Sequence, residues 1–260
     1  MKFIFWNVKN RLNIEIILEI LKHESPGLLF LAEAGKVLKN EDIERIQKTD
    51  YEYLDNPGCD RIRIIKKKDL KISLSKQSDY YSSLKYENVV IISVHLPSQM
   101  YQHMDGLKRY FRDLRTELDS EFGSSIEKDI VIVGDFNVNP FEKPLIDFDG
   151  FSASNSIKLN KEATHLKTKK ALYYNPTWML YSNAKFPGTK YFKRPSASAF
   201  DILEHHFLDQ VIISYSMSQK VIYQKIELLE KTTNYTFFDQ VTNSIKISDH
   251  LPLIYEYKIA

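Results

Sequence analysis

Residues 130–140 read IVIVGDFNVNP, a run in which an apolar strand leads directly into polar side chains. Four branched apolar residues in succession are typical of a strand that is buried on both faces. The strand is followed at once by Asp135, Phe136 and Asn137. Carboxylate and amide groups at a strand end predict either a turn that they cap or a site that they line.

Other apolar runs in the chain also end on, or lie next to, polar residues. Residues 3–8 and 27–35 predict buried strands on either side of an amphipathic helix over 11–24, which is a β-α-β unit. Residues 87–98 predict another strong strand, and 101–122 predict the longest amphipathic helix. The polar residues at the strand ends are Asn7, Glu33, His95, Asp135, Asn137, Asp209, Asp249 and His250.

The composition limits the class of protein. The chain has 260 residues, of which 43% are hydrophobic and 27% charged, and we expect one large α/β domain over 1–260. The single cysteine, Cys59, excludes an internal disulfide framework and a four-thiolate zinc site, so any metal needs oxygen or imidazole ligands. Neither a signal-peptide core nor an apolar run long enough for a membrane span is found. We therefore expect a soluble cytoplasmic protein without a membrane partner.

Each strand-end residue has a structural explanation when it is considered alone. Asp135 and Asn137 could form an Asx turn, His95 could be a core histidine, and Asp249 could cap a helix. The whole set, however, contains the groups that hydrolysis of a phosphodiester requires. These are hard oxygen ligands for Mg²⁺, an acid that activates water, and amide and imidazole donors for phosphoryl oxygens. Shared chemistry therefore explains the set more economically than separate structural roles.

The order of short motifs along the chain resembles that of the endonuclease/exonuclease/phosphatase superfamily of Mg²⁺-dependent hydrolases, which includes deoxyribonuclease I. The motifs are WN, LAE, VHLPS, GDFN, PTW, FLD and SDHLP, and they span residues 6–252. GDFN and SDHLP are the specific ones. The resemblance implies a four-layer α/β/β/α sandwich of two mixed β-sheets flanked by helices, and hydrolysis of a phosphate ester.

The resemblance also implies the residues that hold the metal. Glu33 matches the principal carboxylate ligand of Mg²⁺, with Asn7 beside it directly or through water, and Mn²⁺ is the expected substitute ion. Asp249 matches a further acid of the metal or phosphate site. Asp60 lies where deoxyribonuclease I has an acid behind its other histidine, although a turn aspartate explains it equally well.

Five residues match the catalytic positions of the superfamily. Asp135 matches the residue that orients or deprotonates the attacking water, and Asn137 matches a donor to the phosphoryl group. Asp209 matches the acid that fixes the imidazole of the terminal histidine, His250. His95 stands where part of the superfamily has a second histidine on the phosphate and the apurinic endonucleases have tyrosine.

Two segments are candidates for substrate contacts. On the predicted helix, Lys108, Arg112 and Arg115 share one face, which either binds phosphates or is only solvated. An aromatic and basic insertion at about 173–203 either stacks on bases or is a packed cover loop. The expected contacts are Arg112 and Trp178; the insertion also contains Tyr181, Phe186, Tyr191 and Phe192, with the cations Lys185, Lys190, Lys193 and Arg194.

Three functions are compatible with this sequence. The first is a Mg²⁺-dependent nuclease that hydrolyses phosphodiester bonds in DNA, with RNA as a further substrate. His95 in place of tyrosine favours a nonspecific nuclease or an end-processing phosphodiesterase over a dedicated apurinic endonuclease. The second is a phosphoesterase of small molecules or lipid headgroups, of the inositol phosphatase or sphingomyelinase type. The third, a noncatalytic binding module, is disfavoured because every expected position keeps its functional side chain.

Overall fold

The computed structural model describes residues 1–11, 13–35, 38–98, 104–158, 160–181, 188–191, 203 and 205–260. The elements in chain order are β1 (Lys2–Asn7), α1 (Ile14–Glu24), β2 (Leu28–Ala32), α2 (Asn40–Gln47), β3 (Tyr51–Leu54), β4 (Ile62–Lys67), β5 (Ile72–Ser78), β6 (Tyr81–Tyr86), β7 (Val89–His95), α3 (Met104–Phe122), β8 (Asp129–Asp135), α4 (Lys143–Ile146), β9 (Ala153–Ser154), β10 (Glu162–His165), β11 (Thr168–Ala171), β12 (Tyr173–Tyr174), a 3-10 helix (Pro176–Leu180), β13 (Lys190–Tyr191), β14 (His205–His206), β15 (Asp209–Ser214), α5 (Tyr215–Lys220), β16 (Val221–Leu228), β17 (Phe238–Asp239), β18 (Ser244–Ile245) and β19 (Leu253–Ile259).

Two large mixed sheets form the body of the fold. The first has six strands in the order β16-β19-β1-β2-β4-β3, and the second has seven in the order β5-β6-β7-β8-β15-β12-β9. A parallel pair lies near the centre of each sheet, β1 with β2 and β7 with β8, and the second sheet has a further short parallel pair at its edge, β12 with β9. An antiparallel strand adjoins each central pair, β19 beside β1 and β15 beside β8. The predicted α/β sandwich of two mixed sheets with helices is confirmed.

The alternation of side chains along β8 shows how the layers are joined. Val131 and Val133 belong to the larger apolar core, which also contains residues of the first sheet and of α1. Ile130 and Ile132 belong to a second core, which includes the apolar face of α3. Because successive side chains of a strand point to opposite faces, β8 must be apolar on both. This is why the run IVIV precedes the polar residues.

Several elements were not evident in the sequence. β6 is hidden because Ser82 and Ser83 are buried in it, where their hydroxyl groups donate to Asn56 Oδ1 and to the carbonyl oxygen of Lys76. β16 is an edge strand of the first sheet and carries exposed apolar side chains such as Ile222. β10 and β11 form a further hairpin that was not evident in the sequence.

No helix in the described part of the chain is both long and apolar enough to cross a membrane. Five of the residues named for the predicted insertion lie outside the described residues, namely Lys185, Phe186, Phe192, Lys193 and Arg194.

Candidate active site at the strand ends

The topology brings the polar strand ends to one edge of the sandwich. Asn7 ends β1 and Glu33 follows β2, while His95 ends β7 and Asp135 ends β8. The carboxyl ends of parallel strands lie at the same edge of a sheet, so both central pairs present their last residues together. They line a cleft of about 950 Å³. The sequence-predicted residues that line it are Asn7, Glu33, His95, Asp135, Asn137, Asp249 and His250.

The GDFN segment is both a turn and a part of the cleft. Oδ1 of Asp135 accepts the backbone N–H of Asn137 at 2.9 Å, which is an Asx turn, and leaves Oδ2 facing the cleft residues. Asn137 adopts a left-handed φ of 53° and its side-chain amide donates to the carbonyl oxygen of Leu96 at 2.8 Å. The two explanations of this segment are therefore compatible.

Gly134 is required by the close approach of β7. Val94 and Gly134 are partners in the parallel register of β7 and β8. A Cβ atom on Gly134 would lie 2.0 Å from the carbonyl oxygen of Val94. Only glycine fits this position without moving the backbone that ends on Asp135.

Asn7 connects two carboxylates that line the cleft. Its Nδ2 donates to Oε1 of Glu33 at 3.0 Å and to Oδ2 of Asp135 at 3.2 Å. Its Oδ1 accepts the backbone N–H of Lys9 at 3.1 Å, and this bond assigns the amide nitrogen to the carboxylate side. Two acids thus converge on a single neutral donor, so Asn7 does not neutralise the charge of either carboxylate.

Glu33 presents its carboxylate to the cleft from a constrained backbone position. Its φ is 54°, in the left-handed region that residues other than glycine seldom adopt. Its backbone N–H donates to the carbonyl oxygen of Arg61 and its carbonyl oxygen accepts from Asn10. The side chain is 35% exposed. Glu33 is therefore a carboxylate of this cleft that is open to an ion from solvent.

His250 and Asp209 form a buried hydrogen-bonded pair. Nδ1 of His250 donates to Oδ2 of Asp209 at 2.7 Å, and both side chains are buried. Burial alone would lower the pKa of His250, but the charge and hydrogen bond of Asp209 outweigh burial and raise it. Nε2 of His250 lies 4.0 Å from Oδ2 of Asp135. The imidazole is therefore oriented and held ready to carry a positive charge beside the cleft.

Thr189 holds this pair in place, and the sequence analysis did not identify it as a site residue. Its Oγ1 accepts the backbone N–H of Asp209 at 3.0 Å, and its carbonyl oxygen accepts that of Leu251 at 2.8 Å. Its own N–H donates to the carbonyl oxygen of His206. The neighbouring strand β13 also makes a bridge to His250. No local pattern signals these contacts, since Thr189 lies in the irregular insertion.

His95 lines the cleft near two carboxylates, Glu33 and Asp135. Its Nε2 is 3.6 Å from Oε1 of Glu33 and 4.0 Å from Oδ2 of Asp135. Burial lowers the pKa of His95 in spite of these acids. Nδ1 has no hydrogen-bond partner in the described part of the chain. Asp60 does not lie behind it, because the Asp60 side chain is 92% exposed and its nearest cation is Arg63.

Asp249 lines the cleft, and its carboxylate already accepts hydrogen bonds from two lysines. Its Oδ2 accepts from Nζ of Lys190 at 2.7 Å and from Nζ of Lys9. Burial opposes ionisation of Asp249, yet these two hydrogen bonds outweigh it and lower its pKa to about 2. Arg11 and Arg61 also line the cleft. Together with Lys9 and Lys190 they form a cationic rim. The sequence analysis missed this rim because the four residues come from three separate parts of the chain.

Arg112 and Trp178 are not brought to the cleft. Arg112 is 52% exposed on α3 and pairs with Asp113. Trp178 lines a separate cavity of about 530 Å³, where its ring packs against Tyr181 with centroids 5.1 Å apart.

The helix face predicted from Lys108, Arg112 and Arg115 is only partly exposed. Lys108 is 32% exposed and its Nζ lies 2.8 Å from Oδ2 of Asp147. Arg115 is buried, and it donates to Asp119 and to two backbone carbonyl oxygens. The prediction is therefore wrong for Arg115, whereas Arg112 is exposed on the helix surface.

A ligand set for a metal ion can be chosen from these residues on physical grounds. Asp135, Asp209 and His250 each place a ligand atom within 4.8 Å of the others. Nδ1 of His250 is already bonded to Asp209, however, so these two form a hydrogen-bonded pair and not a ligand pair. Glu33 and Asp135 converge at Asn7 Nδ2 with unbalanced charge. Hard oxygen donors of this kind fit Mg²⁺ or Mn²⁺.

Comparisons with known proteins identify the fold. No family model and no curated protein matches the sequence. The structure of an AP endonuclease from Archaeoglobus fulgidus is 16% identical with a TM-score of 0.59, and the match covers 100% of both chains. The human Nocturnin catalytic domain with bound sulfate is 15% identical with a TM-score of 0.58, over 99% of this chain and 94% of that one.

A third similar structure is that of the 3′ phosphatase NExo from Neisseria bound to a product DNA hairpin. It is 14% identical with a TM-score of 0.52, over 99% of each chain. All three proteins belong to the endonuclease/exonuclease/phosphatase superfamily. The chain therefore has the deoxyribonuclease I-like fold of that superfamily, and the resemblance drawn from the motifs is confirmed for the fold.

Proposed function

We propose that the protein is a Mg²⁺-dependent hydrolase of phosphate esters, and more narrowly a nuclease that cleaves phosphodiester bonds in DNA. The observation that carries the proposal is the convergence of Glu33, Asp135 and the His250–Asp209 pair in one cleft with a cationic rim. Carboxylates alone would hold a cation, and lysines or arginines alone would bind an anion. The two together suit a metal ion and a phosphate at the same place.

Glu33 would hold Mg²⁺ in the cleft, with Asn7 beside it, and Mn²⁺ would substitute. Bound there, the ion would neutralise charge on a phosphoryl oxygen. Asn7 donates to Asp135 and so keeps Oδ2 of this carboxylate in the cleft. Asp135 then accepts the proton of the attacking water as a general base.

The remaining groups act on the phosphoryl oxygens. His250 presents Nε2 to the cleft while Asp209 orients the ring and favours its protonated form. Asn137 and His95 add an amide and an imidazole to the lining of the cleft. Donors fixed before the substrate arrives need no reorganisation as negative charge develops in the transition state.

DNA is the favoured substrate, with RNA as a further one. Two of the similar structures are an AP endonuclease and a 3′ phosphatase bound to a DNA hairpin. The second candidate is a phosphoesterase of small molecules or lipid headgroups. One observation favours it: Arg112 and Trp178, the predicted substrate contacts, lie outside the cleft lining. The cations available to a substrate are then those that line the cleft, and a small phosphate ester needs no others.

A substrate panel tests the proposal. The protein is incubated with supercoiled plasmid, single-stranded DNA, RNA, phosphate monoesters and inositol phosphates, each with Mg²⁺, Mn²⁺ or chelator. We expect metal-dependent cleavage of DNA, and a loss of about 10²- to 10⁴-fold in Asp135→Asn. Asp113→Asn, on the exposed face of α3, is the matched control. Cleavage that persists in chelator or in Asp135→Asn would exclude this mechanism.

A further inference from the structure

Asp249 is surrounded by cations in a way that Glu33 is not. Two lysines donate to the same oxygen, Oδ2, from different parts of the chain: Lys9 follows β1 and Lys190 lies on β13. The other oxygen, Oδ1, has almost no accessible surface and no hydrogen-bond partner among the described residues. One oxygen is therefore occupied by ammonium groups, and the other cannot be reached from the cleft.

Different backbone contacts position the two lysines at the cleft. Lys9 has a left-handed φ of 47°, and its N–H donates to Asn7 Oδ1. Lys190 is fixed by the bridge between β13 and His250, and its side chain is only 13% exposed. Lys9 lies in the turn directly after β1, and its side chain is 45% exposed. Lys190 is adjacent to the strand-end residue His250 through the bridge, so both lysines are positioned next to residues of the site.

Both ammonium groups lie where a phosphoryl group would enter. Lys9 and Lys190 line the cleft together with Asp249, and the side chain of Lys9 is partly exposed. Two ammonium groups at one carboxylate oxygen repel each other, and an anion that bridges them lowers the energy. Their hydrogen bonds lower the pKa of Asp249 to about 2, which is consistent with a carboxylate that stays ionised between them. A phosphoryl oxygen is the anion that the proposed reaction brings to the cleft.

We infer that Lys9, Asp249 and Lys190 form a phosphate clamp and that Asp249 is not a metal ligand in this chain. The ammonium groups bind a phosphoryl oxygen of the substrate, and Asp249 acts as a positioning residue that keeps them together. The metal ion is then held without Asp249, on the side of Glu33. This inference rests on the proposed function and replaces the metal role expected for Asp249 with a positioning role.

Metal binding by the full chain separates the two roles of Asp249. Mn²⁺ is titrated in the absence of substrate and counted by electron paramagnetic resonance, for the unmodified protein, Asp249→Asn, Asp249→Ala and Glu33→Gln. We expect one bound ion, retained within about threefold in affinity by both Asp249 variants and weakened at least about tenfold in Glu33→Gln. Two bound ions in the unmodified protein, or loss of Mn²⁺ in Asp249→Ala, would overturn the inference.

Phosphate binding tests the clamp itself. The affinity for inorganic phosphate is measured by calorimetry for Lys9→Met and Lys190→Met, with Lys225→Met, an exposed lysine paired with Glu227 on β16, as the control. We expect each clamp variant to lose at least about tenfold in phosphate affinity while its Mn²⁺ affinity is unchanged, and the control to match the unmodified protein. Equal phosphate affinity in all the variants would contradict the clamp.

The outcomes distinguish the clamp from the proposed function. If the unmodified protein cleaves no phosphate ester but binds Mn²⁺ and phosphate as expected, the clamp stands and the proposed function fails. If it cleaves DNA and Asp249→Ala loses its Mn²⁺, the proposed function stands and Asp249 is a ligand after all. If the unmodified protein binds no Mn²⁺, both are wrong.

Discussion

The cleft and the inner face of α3 both contain buried charged groups, and they differ in whether those groups face an open volume. On α3, Arg115 is 1% exposed and donates to Asp119 and to the carbonyl oxygens of Phe151 and Ala171. Oδ1 of Asp119 has no hydrogen-bond partner among the described residues, and neither has Nδ1 of His95, but only His95 lines the cleft. A buried ion that is surrounded by protein partners is structural, whereas an unsatisfied polar group beside an open volume indicates a binding site.

The largest effect should follow a change to the buried pair of the cleft. Asp209→Asn keeps the size of the side chain and removes its charge, so His250 loses the acid that raises its pKa. We expect kcat to fall by about 10³-fold, with little change in KM, because the charge acts on the transition state. Steady-state kinetics measure this. If kcat falls by less than about tenfold, Asp209 is a structural acid, as Asp119 is for Arg115.

Arg115→Met is the matching test on α3. The guanidinium group is removed from two backbone carbonyl oxygens and from Asp119, and the apolar stem is kept. We expect the free energy of unfolding to fall by about 3 kcal/mol, because partners are left unpaired in a buried region. Urea denaturation measures it. The kcat of the folded variant should stay within about twofold, and a larger loss would connect α3 to the reaction.

This contrast also explains which parts of the molecule could be predicted. Asn7, Glu33, His95 and Asp135 were found because each lies at or directly after the end of a strand that pairs in parallel, and parallel pairing fixes where those ends meet. Arg115 was misplaced because helical periodicity does not show which loops cover a helix. The burial of its side chain depends on residues that are distant in sequence.

The contacts of the insertion could not be predicted for the same reason. Thr189 and Lys190 reach Asp209 and Asp249 through the short strand β13, which pairs over two residues only. A strand of that length has no periodicity to detect. The position of β13 depends on the strands that it pairs with. The contacts of Thr189 with Asp209 and of Lys190 with Asp249 are therefore evident only in the three-dimensional structure.

Thr189→Val and Thr189→Ser test whether the hydrogen bond between Thr189 and Asp209 contributes to catalysis. Valine keeps the shape and removes the hydroxyl group that accepts the N–H of Asp209, while serine keeps the hydroxyl group. We expect kcat to fall by about tenfold in Thr189→Val with KM within about twofold, and to recover in Thr189→Ser. Both variants are assayed well below their melting temperatures. Equal kcat in the two variants would make Thr189 a packing residue.

The smallest effect is expected for Arg112, the predicted substrate contact that α3 presents to solvent. Because Arg112 is half exposed and already pairs with Asp113, Arg112→Ala should weaken binding of an oligonucleotide by less than about 0.5 kcal/mol. Lys9→Ala, in the cleft rim, should lower the slope of log affinity against log salt by about one. Binding is measured across salt concentrations with chelator to prevent cleavage. A drop of about one in Arg112→Ala would extend the binding surface from the cleft to α3, whereas an unchanged slope confines it to the strand ends.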